Sequence, residues 1–181
     1  MRGTVRQEKK VKRKSGKKKR EFWSAGEWFL VLFGIDLLAK QYVEETMLEG
    51  EEREIPGKKL ILRKVYNRGF LLNTLEEHPD IVKAVSLAAG AGFLLYDGYL
   101  FTRKGNRLEK LGVILAGAGG ASNLADRLFR GRVVDYIGVK SRSSFLSRLT
   151  ANLGDLYLFI GAVIVMVSQK RKRGSVRKSS S

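Results

Sequence analysis

Two acidic residues near the C-terminal end of the chain lie where a carboxylate could do chemistry. Asp135 follows the apolar pair Val133-Val134, and Asp155 stands at the start of the apolar segment that begins at Leu153. A carboxylate beside a hydrocarbon layer costs a few kcal/mol, so its presence there marks a candidate functional site. Two carboxylates held close together share one proton, so one becomes an acid and the other a base. We therefore predict that Asp135 and Asp155 form a pair that can activate water against an amide.

Other polar residues at the edges of apolar segments could support this pair. Asp36 and Lys40 stand four apart, so on a helix they share a face and can pair, and a merely neutralised pair is an equally weighted interpretation. Asp126 and Arg127 could hold a loop in place or take part in the chemistry, and the sequence supports the two interpretations equally. The full set of candidate supporting or substrate-binding residues is Asp36, Lys40, Asn67, Asn123, Asp126, Arg127 and Asn152.

The chain contains few of the residues that other kinds of catalytic site need. Cysteine is absent, which excludes thiolate nucleophiles, disulfides and cysteine-bound metals. The only histidine, His78, lies in a polar stretch ahead of an apolar segment and reads as a surface residue, so no Ser/His/Asp set competes. A hard cation held by Asp126, Asp135 and Asp155 is conceivable, but no spacing signature supports it. We expect no metal and no cofactor.

The charge of the chain is concentrated at its two ends. The net charge is +17 over 181 residues, yet it arises almost entirely from residues 1–21 and 169–181, whose composition predicts disordered basic tails. Such tails bind nucleic acid or anionic lipid. They have no interleaved aromatic residues, so we favour a role beside a membrane, with membrane lipids as partners, and do not expect a nucleic-acid partner.

Four apolar segments must position the polar residues. They span about 22–43, 81–101, 108–127 and 152–168, and the last two reach the length of a membrane span only by including their Asn and Asp residues. The sequence thus predicts a mainly α integral membrane protein, a four-helix bundle over 22–168. Four spans put both basic tails and the basic link near Arg103 on the cytoplasmic side, as the positive-inside bias requires. A soluble bundle with unusually apolar helices is the alternative, which the basic tails disfavour.

The segment at about 44–78 falls on the opposite side of the membrane. It begins with acidic residues and continues as an alternating stretch at 59–66, a pattern that predicts short paired strands. We therefore expect a small extracytoplasmic β structure above the bundle.

Taken together, the motifs resemble those of one enzyme family. In chain order they are Asp36-x-x-x-Lys40, Asn67-x-Gly69, Gly119-Gly120-Ala121-Ser122-Asn123-Leu124-x-Asp126-Arg127, Val133-Val134-Asp135-Tyr136 and Asn152-x-x-Asp155. This order and spacing resemble lipoprotein signal peptidase, also called signal peptidase II, over roughly residues 22–168. Each motif alone is weak, but five in the right order on four spans are specific.

The resemblance implies an activity and a place in the cell. It implies a membrane aspartyl endopeptidase that removes signal peptides from prolipoproteins by cutting before a diacylglyceryl-modified cysteine. Asp135 and Asp155 would polarise the water, Asn123, Asp126, Arg127 and Asn152 would shape the site, and Asp36, Lys40 and Asn67 would support it or contact substrate. It also implies a β-cradle, a short outer helix within 136–150, a multi-pass location in the cytoplasmic membrane and, as we expect, a monomer.

Departures from the family pattern motivate one alternative. Ser122 stands where the family has glycine, Ala151 where it has an aromatic residue, and Gly154 where it has alanine. A catalytically divergent membrane protein of the same fold, which binds lipid or lipopeptide without cutting it, is therefore the second hypothesis. Retention of every expected carboxylate favours the enzyme.

Overall fold

A computed structural model describes residues 25–70, 74–103, 105 and 107–179, the last of these as backbone only from residue 172. Within these residues, five helices and four strands follow one another. The long helices are α1 (25–46), α2 (Pro79–Thr102), α3 (Arg107–Phe129) and α5 (Leu153–Ser179). A single short helix, α4 (Ser144–Arg148), and four strands complete the order: β1 (Glu52–Glu54), β2 (Leu60–Asn67), β3 (Val133–Val139) and β4 (Thr150–Ala151).

The helices form where the apolar segments predict them, and small residues bring two of them together. A Cβ atom at Gly112 would lie 2.8 Å from the carbonyl oxygen of Gly161, and one at Gly119 would overlap the carbonyl oxygen of Gly154. The backbones of α3 and α5 therefore touch, as small residues at a helix interface allow. This contact sets the distance between Asn123 on α3 and the first turn of α5.

Much apolar surface of the helices is not covered by protein. In α2 only Val82 and Leu100 are buried, while Leu94 and Leu95 are more than two-thirds exposed. Within the described residues, two helices are long and apolar enough to cross a membrane, Pro79–Thr102 and Leu153–Arg171. A soluble bundle would bury these faces, so their exposure disfavours the soluble alternative. Whether α1 and α3 also cross stays a prediction.

The four strands make one antiparallel sheet in the order β1-β2-β3-β4. In the central pair, Val65 lies opposite Asp135 and Asn67 opposite Val133, with an irregularity between Leu62 and Val65. One face of β3 packs on the end of α1, where Val43 and Met47 meet Val134 and Tyr136 in a buried cluster. The opposite face of the strand carries Asp135, so the sheet holds that carboxylate above the helices.

Two predicted boundaries differ from the structure, and a third prediction is confirmed. The sheet is predicted within about 44–78, but β3 and β4 supply half of its strands. The short helix that the resemblance implies within 136–150 is α4, Ser144–Arg148. The backbone of α5 is helical to Ser179, past the predicted end at 168, since Lys and Arg are good helix formers. The tail 1–21, residues 22–24 of the first span, and residues 180–181 lie outside the described residues.

Candidate active site

Asp135 and Asp155 meet where β3 passes the first turn of α5. One amide side chain joins them: Asn152 donates from Nδ2 to Asp135 Oδ1 over 2.7 Å, and its Oδ1 accepts from the Asp155 backbone N–H over 2.8 Å. Asn152 is completely buried. Because its two polar atoms are engaged by different elements, Asn152 ties the strand to the helix.

The start of α5 is a reciprocal cap. Asn152 precedes the first helical residue and caps the N–H of Asp155, while Asp155 Oδ2 accepts from the Asn152 backbone N–H over 3.1 Å. This is the capping-box arrangement, in which the residue before the helix and the third helical residue satisfy each other's N–H groups. A negative charge in the first helical turn is also stabilised by the helix dipole. The cap therefore fixes the Asp155 side chain.

Neutral donors hold the two carboxyl groups. Asn67 Nδ2 donates to Asp135 Oδ2 over 3.1 Å, and Asn123 Nδ2 donates to Asp155 Oδ1 over 2.7 Å. With the two bonds from Asn152, each of the four carboxyl oxygens accepts one bond from an amide or a backbone N–H of the described residues. Each oxygen has two lone pairs, so one remains for water or substrate. The site orients the pair without neutralising it by a direct ion pair.

Asp135 is buried, with 3 % of its surface exposed. Burial raises the pKa of its carboxyl from 3.8 to about 7, and the nearby charge of Asp155 acts in the same direction, against the hydrogen bonds from Asn67 and Asn152. With such a pKa, about half of the molecules carry the Asp135 proton at pH 7, so the carboxyl group can act as a proton donor. Within the pair, Asp135 can therefore carry the proton while Asp155 carries the negative charge.

A buried lysine lies behind the pair and contacts four acceptors. Lys40 Nζ is 2.9 Å from Asp36 Oδ2 and 3.2 Å from Asp126 Oδ2. It also donates to Ser122 Oγ over 3.0 Å and to Asn123 Oδ1 over 2.8 Å. Lys40 and Asp36 have no exposed surface, so the ion pair is shielded from water. Because Lys40 occupies Asn123 Oδ1, the Nδ2 group of Asn123 faces Asp155.

Asp126 and Arg127 act on different parts of the site. Asp126 Oδ2 accepts from the Val134 backbone N–H over 3.2 Å. Asp126 therefore holds β3 at the residue that precedes Asp135. Arg127 donates to the Gly69 carbonyl oxygen over 2.9 Å, and its guanidinium lies 5.5 Å from the centre of the Phe70 ring. Arg127 therefore fixes the loop that follows Asn67.

All nine predicted site residues belong to one connected region, in which two further residues participate. Ser122 donates to Asp36 Oδ2 over 2.6 Å, and Tyr136 donates to Asp36 Oδ1 over 2.9 Å. Sequence reasoning quoted both within motifs but gave neither a role; their only signal was adjacency to Asn123 and Asp135. Within the described part of the chain, no three His, Asp or Glu side chains are grouped as metal ligands.

Comparisons with known proteins identify the family of this chain. The sequence profile described as signal peptidase (SPase) II matches residues 28–170. A lipoprotein signal peptidase of Fusobacterium nucleatum is 30% identical over 139 residues, which cover 77% of this chain and 81% of that protein. One from Clostridioides difficile is 31% identical over 138 residues, covering 76% of this chain and 88% of that protein.

Solved structures share the fold. A bacterial membrane enzyme determined at 2.3 Å resolution has a TM-score of 0.72 at 19% identity, covering 84% of this chain and 90% of that one. A second bacterial membrane enzyme, determined at 1.9 Å, has a TM-score of 0.67 at 20% identity, with 81% and 92% covered. With the profile covering most of its length, the chain belongs to the signal peptidase II family.

Proposed function

We propose that this membrane protein removes signal peptides from prolipoproteins by cutting before a diacylglyceryl-modified cysteine, with Asp135 and Asp155 as its catalytic pair. The observation that carries the proposal is the bridge through Asn152, which holds both carboxyl groups at one point and leaves each oxygen a free lone pair. Family membership supports the peptidase activity, and the pair supplies the chemistry that the activity needs.

The two carboxyl groups take different roles in the proposed reaction. Asp155, in the first turn of α5, is the carboxylate that takes a proton from the attacking water. Asp135, whose pKa is raised to about 7 by burial, gives its proton to the oxygen of the scissile carbonyl. Collapse of the tetrahedral intermediate then breaks the C–N bond, and the proton taken by Asp155 passes to the leaving amine. As the C=O bond re-forms, one hydroxyl group of the intermediate returns its proton to Asp135. The products are the free signal peptide and the lipoprotein with a new amino terminus.

The supporting residues hold this arrangement in the free enzyme. Asn67 and Asn123 each orient one carboxyl group, and Arg127 fixes the loop after Asn67, which lies beside the site. Asp36, Lys40 and Asp126 form the buried ion cluster behind them. A preorganised site of this kind avoids rearranging dipoles during the reaction.

A lipid-modified substrate suits the position of the pair. Asp155 begins a helix that is apolar enough to span a bilayer, while Asp135 lies in the sheet beyond the helix end. A cysteine whose acyl chains stay in the bilayer presents its preceding peptide bond at this depth. In the same proposal α1, α2, α3 and α5 all cross the cytoplasmic membrane, both basic tails face the cytoplasm, and the chain acts as a monomer.

Cleavage of a diacylglyceryl-modified prolipoprotein by purified protein in detergent tests the proposal. Asp135→Asn and Asp155→Asn should each abolish cleavage while the protein stays folded. Asp97→Asn is the matched control, because Asp97 lies in α2 outside the site residues described above. Cleavage that survives in either dyad variant would refute the assignment, and a folded wild type that binds but never cuts the substrate would favour the divergent binding protein.

A further inference from the structure

We propose that Tyr136 is a positioning residue for the reaction, whose hydroxyl group holds the first turn of α5, and with it Asp155, at a fixed place relative to Asp135. The inference rests on the proposed function, since it takes these two aspartates as the catalytic pair. Tyr136 touches neither carboxyl group of the pair and acts on them through the backbone of α5 and through Asp36.

Side chains from both faces of strand β3 make hydrogen bonds to the start of α5. Successive side chains of a strand point to opposite sides, so Asp135 and Tyr136 leave β3 in opposite directions. Asp135 Oδ1 accepts from Asn152 Nδ2 over 2.7 Å, and the Tyr136 hydroxyl oxygen accepts from the Leu153 backbone N–H over 3.2 Å. The two bonds hold consecutive residues, Asn152 and Leu153, so the helix start cannot shift along the strand without breaking one of them.

The bond to Leu153 satisfies a group that the helix itself leaves unpaired. The first N–H groups of a helix have no acceptor within it. At the start of α5, Asn152 Oδ1 satisfies the N–H of Asp155, and Tyr136 satisfies that of Leu153. An N–H group that is removed from water and has no partner is unfavourable, so loss of the phenol oxygen favours a rearranged helix start.

The phenol is in turn anchored to a fixed charge. It donates to Asp36 Oδ1 over 2.9 Å, while Asp36 Oδ2 accepts from Ser122 over 2.6 Å and from Lys40 over 2.9 Å. Burial, together with the Asp36 charge, raises the pKa of Tyr136 above its usual value, so the hydroxyl keeps its proton. A hydroxyl that donates to a carboxylate makes a shorter and stronger bond than one between neutral groups.

Gly154 shows how tightly Asp36 is packed against the same turn. A Cβ atom at residue 154 would lie 2.8 Å from Asp36 Oδ2, 3.0 Å from Asn152 Oδ1 and 3.0 Å from the Gly119 carbonyl oxygen. Contacts this short force something to move. The first turn of α5 thus contacts Tyr136 through Leu153 and lies close to Asp36 at Gly154. A substitution can perturb either contact without the other.

Tyr136→Phe is the first test, with Tyr66→Phe as its matched control. Tyr66 donates to Glu44 Oε1 over 2.8 Å and lies opposite Val134 in the sheet, so its hydroxyl makes the same kind of bond without touching α5. We expect Tyr136→Phe to lower kcat about 10- to 100-fold with KM within about twofold of wild type, because misplacing a catalytic group slows the chemical step. Tyr66→Phe should leave both constants near wild type. Tyr136→Phe should lose more thermal stability than Tyr66→Phe, because the Tyr136 hydroxyl makes two bonds and the Tyr66 hydroxyl makes one.

Gly154→Ala is the second and independent perturbation. The family pattern has alanine here together with glycine at the position of Ser122, whereas in this chain Ser122 donates to Asp36 Oδ2, the atom that the added methyl group would meet. Gly154→Ala should give the same signature of lowered kcat and unchanged KM. Gly120→Ala is its control, because a Cβ there would meet only Leu158 at an ordinary 3.6 Å. If Tyr136→Phe does not accumulate as folded protein while Tyr66→Phe does, the proposal is overturned, because a hydroxyl that only positions one helical turn should not decide whether the protein folds.

Asp135→Asn and Asp155→Asn are run in the same assay to separate the two proposals. Activity retained by a dyad variant would overturn the proposed function. If instead both dyad variants are inactive but Tyr136→Phe has the kcat of Tyr66→Phe, or Gly154→Ala that of Gly120→Ala, the positioning role alone is overturned.

Discussion

Replacing Lys40 by Met should both destabilise the protein and stop cleavage. Lys40 has no exposed surface and is the cation shared by Asp36 and Asp126. Asp126 would keep its ion pair with Arg130, at 2.8 Å, but Asp36 would keep only hydroxyl donors. One uncompensated buried charge remains, and removing one partner of a buried pair costs about 3–5 kcal/mol. The free energy of unfolding should therefore fall by about that amount.

The assay is denaturant unfolding in mixed micelles, followed by circular dichroism, with Lys59→Met as the control at an exposed position. The double variant Asp36→Asn/Lys40→Met should recover more than half of the lost stability, because the neutral amide that replaces the Asp36 carboxylate leaves no uncompensated charge. It should not recover cleavage, since Asn123 still lacks the donor that orients it. Unfolding of Lys40→Met within about 1 kcal/mol of the Lys59→Met control would refute the reasoning, because exposed substitutions stay within about 0.5 kcal/mol.

The remaining predictions concern protonation, helix packing, the cap and the topology. Because burial raises the pKa of Asp135 to about 7, kcat/KM should fall as pH rises through about 7 and the proton is lost. The stability that this proton supplies is complete below pH 3.8 and is lost as pH rises through about 7. A rate unchanged between pH 6 and 8 would contradict this. Gly119→Ala should lower the free energy of unfolding by about 1–3 kcal/mol, measured against Gly120→Ala, since it overpacks the α3–α5 contact; equal stability would contradict the close approach. Asn152→Ala should lower kcat about 100-fold, because it releases both aspartates at once; a kcat near that of wild type would show that the bridge is dispensable. In this cysteine-free chain, Ser141→Cys should react with an impermeant reagent on intact cells and Ser15→Cys only after lysis; the reverse pattern would refute the proposed orientation.

The parts of the fold that the sequence predicted are those carried by local patterns. Long apolar runs predicted the long helices, and the alternation at 59–66 predicted β2, which the structure places at Leu60–Asn67. The mainly helical fold with a small antiparallel sheet and the family are confirmed. The four spans and the catalytic roles remain predictions, although all nine site residues lie in one region.

The missed parts depend on contacts distant in sequence. Val133–Val139 is buried almost throughout, so it lacks the alternation of polar and apolar residues that identifies a half-buried strand. Its partner β2 lies some 70 residues earlier, and only folding brings the two together. Tyr136 and Asp36 are 100 residues apart, so no local pattern could reveal their hydrogen bond. The order of the motifs, by contrast, located the polar residues without any knowledge of these contacts.

The bridge between Asp36 and Lys40 bears on how the protein is made. It joins residues four apart on one helix, so it can form as soon as α1 is helical. Ser122 lies 82 residues after Lys40, which at about 5–20 residues per second leaves roughly 4–16 s before it is synthesised. If α1 crosses the bilayer as proposed, Asp36 and Lys40 must enter without their later partners. The local bridge offsets these two charges against each other during that interval, so the ion pair that later supports the active site also assists membrane insertion.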